Sequence, residues 1–154
     1  MEIRVEPRIQ SKIKEALRKA GRREIGGILM GECLAPNHFR VSDLSTSARR
    51  GSFSNFIRSL VDALEPLRNF FVRTGYQYKR FNYLGEWHSH PSFVPVPSAS
   101  DIQTMLEIVR DPQVGATFAV LLIVRLDSDR LKGSATVFPA SGAAFRACLI
   151  WETE

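Results

Sequence analysis

The chain has 154 residues, 44% hydrophobic and 24% charged, the size and balance of one globular domain able to fold without a disulfide or a metal. Its longest unbroken apolar run is the seven residues Phe118 to Val124, and a membrane helix needs about 20, so no spanning segment is expected. The net charge of +5 is uneven: residues 1–80 hold 16 basic and 8 acidic side chains, and residues 81–154 hold 5 and 8.

The first residues, MEIRVEPR, carry charge where a signal peptide needs an apolar core, so a cytoplasmic protein is expected. Residues 2–6 alternate, with Ile3 and Val5 apolar, and predict a short edge strand. Ile9, Ile13, Ala16, Leu17 and Ala20 recur at helical spacing, and Gly21 follows as a C-terminal cap. Lys12, Lys14, Arg18 and Lys19 crowd that helix and read as a solvated face. No RNP motif, zinc-finger spacing or lysine tract accompanies them, so nucleic acid is not the expected partner. Residues 24–30, EIGGILM, predict a buried strand whose two glycines mark a bulge or a close backbone approach. Residues 38–44 predict its hairpin partner through the Ala35-Pro36-Asn37 turn, with His38 on the surface.

Phe56, Leu60, Leu64, Leu67 and Phe71 form a second helical stripe, which Pro66 is expected to kink or break. Residues 82–88 predict a central strand, and residues 98–110 a helix burying Ile102, Met105, Leu106 and Val109 before Asp111-Pro112 ends it. Strands are expected at 117–125, 131–138 and 145–151. The order β-α-β-β-α-β-α-β-β-β predicts a single domain over residues 1–154, a mixed β-sheet flanked by helices in an α/β (α+β) sandwich. Cys33 and Cys148 sit in apolar stretches and are expected to be reduced and buried.

The chemistry concentrates in residues 83–101, YLGEWHSHPSFVPVPSASD. Strand side chains alternate, so His88 and His90 share a face, with Cα atoms roughly 6.5 Å apart at about 3.3 Å per residue. Two imidazoles at that spacing can converge on one ion. Pro91 ends the strand, and Pro91, Pro95 and Pro97 stiffen the loop after it. Ser98 is then a natural N-cap, with Asp101 three residues on in the first turn, able to project toward the histidines. Two histidines and one carboxylate, with water in the fourth position, match the ligand count of a catalytic zinc site. Trp87 and Ser89 fall on the opposite face. Glu86 shares the histidines' parity and is a candidate general base, as is Glu24, and periodicity alone does not choose between them.

His88-Ser89-His90-Pro91 followed by Ser98-Ala99-Ser100-Asp101 resembles the JAMM zinc metalloproteases of the MPN domain class. The upstream segment Glu24 to Gly31 matches the strand after the first helix, where that family carries its glutamate. The resemblance spans roughly residues 1–140 and implies an MPN/JAB domain with a cytidine-deaminase-like sheet. It implies one zinc per chain on His88, His90 and Asp101, Glu24 as general base, and Ser98 as hydrogen-bond donor to the oxyanion. Glu86 is then left to support the ligands or touch substrate. With no further Cys or His cluster, the second, structural zinc of some eukaryotic members is not expected. YLGEWHSHP is similar to the bacterial branch, whose members occur beside E1-like and E2-like proteins and trim ubiquitin-like modifiers in antiphage defence operons. The implied partner is a ubiquitin-like protein with a Gly-Gly tail, together with its conjugates. Two alternatives remain: a peptidase trimming a sulfur-carrier protein in cofactor or cysteine synthesis, and a non-catalytic MPN scaffold.

Overall fold

The computed structural model describes residues 1–48 and 54–153, with the backbone alone for 48 and 54–63. Its elements are β1 (Glu2–Val5), α1 (Pro7–Ala20), β2 (Ile25–Ala35), β3 (His38–Leu44), β4 (Ser47–Ala48) and α2 (Ser54–Arg73), followed by β5 (Phe81–Ser89), α3 (Ala99–Arg110), β6 (Phe118–Asp127), β7 (Arg130–Pro139), β8 (Phe145–Arg146) and β9 (Cys148–Trp151). The strands form one mixed sheet in the order β8-β7-β6-β5-β2-β3-β1-β9, with β4 paired to the start of β2. This is the expected mixed sheet with flanking helices.

α1 begins on Pro7, whose fixed φ suits a first helical turn, and ends where Gly21 adopts φ 61 and its N–H reaches Leu17 O. Its apolar stripe buries Ile9, Ile13 and Leu17 against Ile3, Val5, Trp87 and Leu122. Each such aliphatic side chain contributes about 1.5–3 kcal/mol on removal from water. The opposite face of the sheet is covered twice. Phe70 of α2 packs on Ile28 and Met30 of β2, and Met105, Ile108 and Val109 of α3 pack on Ala119, Leu121 and Ile123 of β6.

One expected C-terminal strand is two. β8 pairs with β7 and β9 with β1, at opposite ends of the sheet, with only Ala147 between them. Ala147 N–H donates to Ala135 O of β7, and Cys148 N–H donates to Met1 O. The sheet therefore curls until its ends nearly meet around the α1 core. A Cβ on Gly133 of β7 would lie 3.1 Å from the Trp151 ring of β9. β2 runs on to Ala35, past the expected Met30, because β3 and β5 both pair along it. β4 was not anticipated, since two residues carry no periodic signal.

Three further expectations need correction. Ile102 is exposed rather than buried, and Ile108 lies on the packed face of α3 instead. α2 runs through Pro66 without a break. Proline removes only one amide hydrogen bond, and the turns after it are held by the packing of Phe70 on Ile28 and Met30. Of its predicted stripe, Phe56 and Leu60 lie outside the described side chains. The cysteines are unpaired but not buried: Cys33 is half-buried near the end of β2, and Cys148 is exposed. For Cys148 the apolar neighbour Leu149 belongs to the other face of β9 and packs on the core, and beside Cys33 Leu34 is itself exposed.

Asp43, only 8% exposed, ties three elements together. Lys12 of α1 donates to its Oδ1 at 2.9 Å, Arg73 of α2 donates to Oδ2, and Leu44 N–H donates to Oδ1 at 2.8 Å. Burial pushes the carboxyl's pKa up, but the bonds from Arg73, Lys12 and Leu44 N–H outweigh it and hold the pKa below the ordinary value. A depressed folded-state pKa stabilises the fold above the unfolded value of about 3.9, and that stability is lost as pH falls through the folded value. We expect the wild type to exceed Asp43→Asn in urea midpoint at pH 6. The gap should close toward pH 3; a gap independent of pH would remove Asp43 from this linkage.

Candidate metal centre

The site begins with a close approach of two strands. Gly26 of β2 pairs with His88 of β5. A Cβ on Gly26 would lie 2.3 Å from Trp87 O and 2.9 Å from His88 Cβ, so no other residue lets β2 come this near to the histidine. Gly27 is equally confined, with Ser45 O 2.3 Å from its hypothetical Cβ. The two glycines mark close approach, one of the two readings their sequence allowed.

Alternation along β5 places His88 on the face covered by α2 and α3, and Trp87 and Ser89 on the other. Trp87 is 1% exposed in the α1 core, and its Nε1–H donates to Ser45 O at 2.7 Å. Ser89 Oγ accepts from Ile25 N–H at 3.1 Å. His90 lies just past the strand and keeps its register, because its N–H donates to Val124 O at 2.9 Å. Its Nδ1 lies 3.0 Å from Val94 O. A carbonyl oxygen only accepts, so Nδ1 carries the proton and Nε2 presents its lone pair.

Asp101 arrives from α3. Its N–H donates to Ser98 Oγ at 3.2 Å, and Ser98 N–H donates back to Asp101 Oδ2 at 2.8 Å. This reciprocal capping box fixes the carboxylate on the first helical turn. Its Oδ2 then lies 3.3 Å from His88 Nε2 and 3.5 Å from His90 Nε2. The two Nε2 atoms are 3.1 Å apart. The three residues are 5%, 7% and 2% exposed respectively for His88, His90 and Asp101.

Those separations test the donor set. A tetrahedral ion with bonds of about 2.0–2.1 Å requires ligand atoms about 3.3–3.4 Å apart. The triangle of 3.1, 3.3 and 3.5 Å fits that requirement. Among the described residues, His88, His90 and Asp101 are the group of metal-ligating side chains found within bonding reach of one point. Three ligands leave a coordination position for water or substrate, as catalytic sites do and closed structural sites do not.

Glu24 is exposed and sits one residue before β2. Continuing the pairing of Gly26 with His88 by two residues sets Glu24 across from His90, on the same face. Glu86 is half-buried on that face and farther along β5. Its Oε1 accepts from Tyr83 OH at 3.0 Å. Burial, and then the Glu86 charge, push the Tyr83 phenol well above its ordinary pKa, so it remains a donor at neutral pH. Ser98 is exposed beside the triangle, with its Oγ 3.0 Å from Ser100 Oγ. His38 is exposed at the hairpin turn, its Nδ1 2.9 Å from Pro36 O.

Sequence reasoning missed the Val94 carbonyl, which orients His90. A carbonyl belongs to every residue, so no signal could have found it. It also missed a groove of about 960 Å³ between β4 and α2, lined by Ser45, Thr46 and Ser47 on one side and by Pro66, Asn69 and Val72 on the other. The loop between the ligands exposes Phe93, Val94 and Val96 next to the centre. No helix among the described residues is long and apolar enough to cross a membrane.

Comparison with known proteins places the chain in a family. The family described as prokaryotic homologues of the JAB domain matches residues 6–135. The CD-NTase/cGAS isopeptidase of Enterobacter hormaechei subsp. hoffmannii (strain UCI 50) is 30% identical over 145 residues, which is 90% of this chain and 75% of that protein. A Desulfitobacterium hafniense protein solved in solution superposes with a TM-score of 0.65 at 18% identity, covering 99% of this chain and 94% of that one. At that identity the likeness is one of fold. A JAB1/MPN domain protein from Archaeoglobus fulgidus superposes less closely, with a TM-score of 0.48 at 13% identity over 97% of this chain and 98% of that one.

Proposed function

The chain belongs to the family of prokaryotic JAB-domain proteins, and from that premise we propose that it is a zinc-dependent isopeptidase that cleaves after the glycine tail of a ubiquitin-like protein. The observation that carries this reading is the buried, three-cornered His88–His90–Asp101 triangle, with one coordination position left over. His88 and His90 would bind through Nε2 and Asp101 through Oδ2. When bound there, zinc supplies Lewis acidity and lowers the pKa of a water in its open position to about 7.

The rest falls to the protein's own side chains. Glu24 holds the attacking water, takes its proton and passes that proton to the leaving amine. Ser98 donates its hydroxyl proton to the oxyanion that develops on the scissile carbonyl. Val94 O keeps the His90 ring in the tautomer that binds metal. Glu86, engaged by Tyr83, braces the strand from the same face.

The substrate class rests on shape and on kinship. β4 pairs with β2 beside the centre, and the groove along β4 and α2 suits an extended chain added as a strand. The Enterobacter relative, by its name, acts on CD-NTase/cGAS proteins. By kinship, the conjugates processed here are proposed to include a CD-NTase-class protein carrying the modifier. E1-like and E2-like enzymes would be the conjugating partners, in the cytoplasm of a bacterium defending itself against phage. The test is incubation with candidate ubiquitin-like precursors and conjugates. Free modifier should appear, stop appearing with a chelator, and return on adding zinc. Chelator-insensitive release, or none from any Gly-Gly-tailed substrate, would overturn the reading.

Ser98 offers a separate check, because capping and catalysis make different demands on it. Ser98→Asp keeps a side-chain acceptor for Asp101 N–H, and aspartate caps as well as serine, so the melting temperature should stay close to wild type. A carboxylate cannot donate to an oxyanion and repels it. Cleavage should fall by about 10²–10³, with zinc retained. Near-wild-type cleavage would reduce Ser98 to a cap.

A further inference from the structure

The loop that joins the ligands spends amide hydrogens on its own backbone: Phe93 N–H donates to His90 O at 3.4 Å and Val96 N–H to Val94 O at 2.8 Å. Pro91, Pro95 and Pro97 have no amide hydrogen to give. The loop is held instead through three consecutive carbonyls, each facing a side-chain donor. Phe93 O lies 3.5 Å from Arg125 Nη1 on β6, Val94 O lies 3.0 Å from His90 Nδ1, and Pro95 O accepts from Ser134 Oγ on β7. The contact to Arg125 is the longest of the three. Ser134 is 4% exposed, one of few polar side chains among the buried residues.

The sheet register explains why Ser134 can reach. Gly26, His88, Ile123 and Ser134 are paired in one row across β2, β5, β6 and β7, so all four face the same side. The row that carries the first histidine ligand also carries the donor that holds the loop of the second. A buried hydroxyl must find an acceptor or cost the fold its desolvation. The acceptor it finds is one residue from the carbonyl that sets the tautomer of His90.

We propose that Ser134 is a positioning residue of the metal centre: through Pro95 O it fixes Val94 O, which holds the His90 ring with Nε2 turned toward the ion, and Arg125 assists through Phe93 O. This rests on the metal-centre reading above and extends it to a strand that carries no ligand. Loss of the hydroxyl lets the loop and its Val94 carbonyl drift, so His90 no longer arrives preset.

The experiment measures the zinc dissociation constant by competition with a chromophoric chelator, together with melting of the metal-free and zinc-loaded protein. Ser134→Ala should weaken zinc binding about tenfold, the lower end of what partners outside the ligand set contribute. Ser134→Thr, which keeps a hydroxyl, should restore affinity. Arg125→Met should weaken binding in the same direction by less, and it stands in if a Ser134 variant fails to fold. A merely structural role predicts a lower melting temperature for metal-free Ser134→Ala with unchanged zinc affinity, and that result would overturn the proposal. If wild-type protein binds no zinc, the metal-centre reading itself fails. If it binds zinc and every variant binds equally well, only the role of Ser134 and Arg125 fails.

Discussion

Alanine at His88 is expected to strip the metal from the protein and to take cleavage to background. The three ligand atoms are 3.1–3.5 Å apart, and the two that would remain, His90 Nε2 and Asp101 Oδ2, span one edge of the coordination shell. Changes to groups outside the ligand set cost about 10–100-fold in metal affinity or activity, so loss of a ligand should cost more than about 100-fold. His90→Ala should behave alike. The measurements are zinc content per chain after dialysis and the rate of release from a Gly-Gly-linked conjugate. Wild-type protein should hold one zinc per chain. Full activity of metal-free wild type after exhaustive chelation would refute the zinc assignment.

Glutamine at Glu24 should leave zinc in place and cut cleavage by about 10²-fold or more, the scale of general acid–base contributions. The substitution keeps size and removes only the basicity. Glu24 stands before the first residue of β2 and contributes no core packing, so its loss should not unfold the chain. Glu86→Gln is the paired control. Its carboxylate already accepts from Tyr83 OH, and the raised Tyr83 pKa keeps that proton on the phenol. An amide oxygen can still accept that bond, so the loss of rate should be small. A dead Glu86→Gln beside an active Glu24→Gln would reverse the two roles.

These results divide along a line between local and distant chain. His88, His90 and Asp101 lie within 14 residues of one another. Two local rules, alternation along a strand and a capping box at a helix start, were enough to predict that they converge, and the structure brings them together within hydrogen-bonding distances. The hairpin at Asn37 was legible for the same reason, since Pro36-Asn37 stands between two apolar runs and Asn37 takes a positive φ of 63°. The order of the longer elements was legible from period, while β4 and the split between β8 and β9 were not.

What sequence could not decide depends on which distant strands pair and in what register. Periodicity did not choose between Glu24 and Glu86, and only the pairing of Gly26 with His88, continued by two residues, puts Glu24 on the same face as His90 and Glu86. The final strand read as one run, yet it splits at Ala147 to close both ends of a curled sheet. Cys148 read as buried from its neighbours, but burial belongs to a face, and the face is assigned only when β9 meets β1. Pro66 read as a kink or a break, yet the helix runs on past it to Phe70, which packs on Ile28 and Met30. Each of these depends on contacts between residues far apart in the chain. Such contacts are worth a few kcal/mol only once the whole sheet has formed, so no short window of sequence contains them.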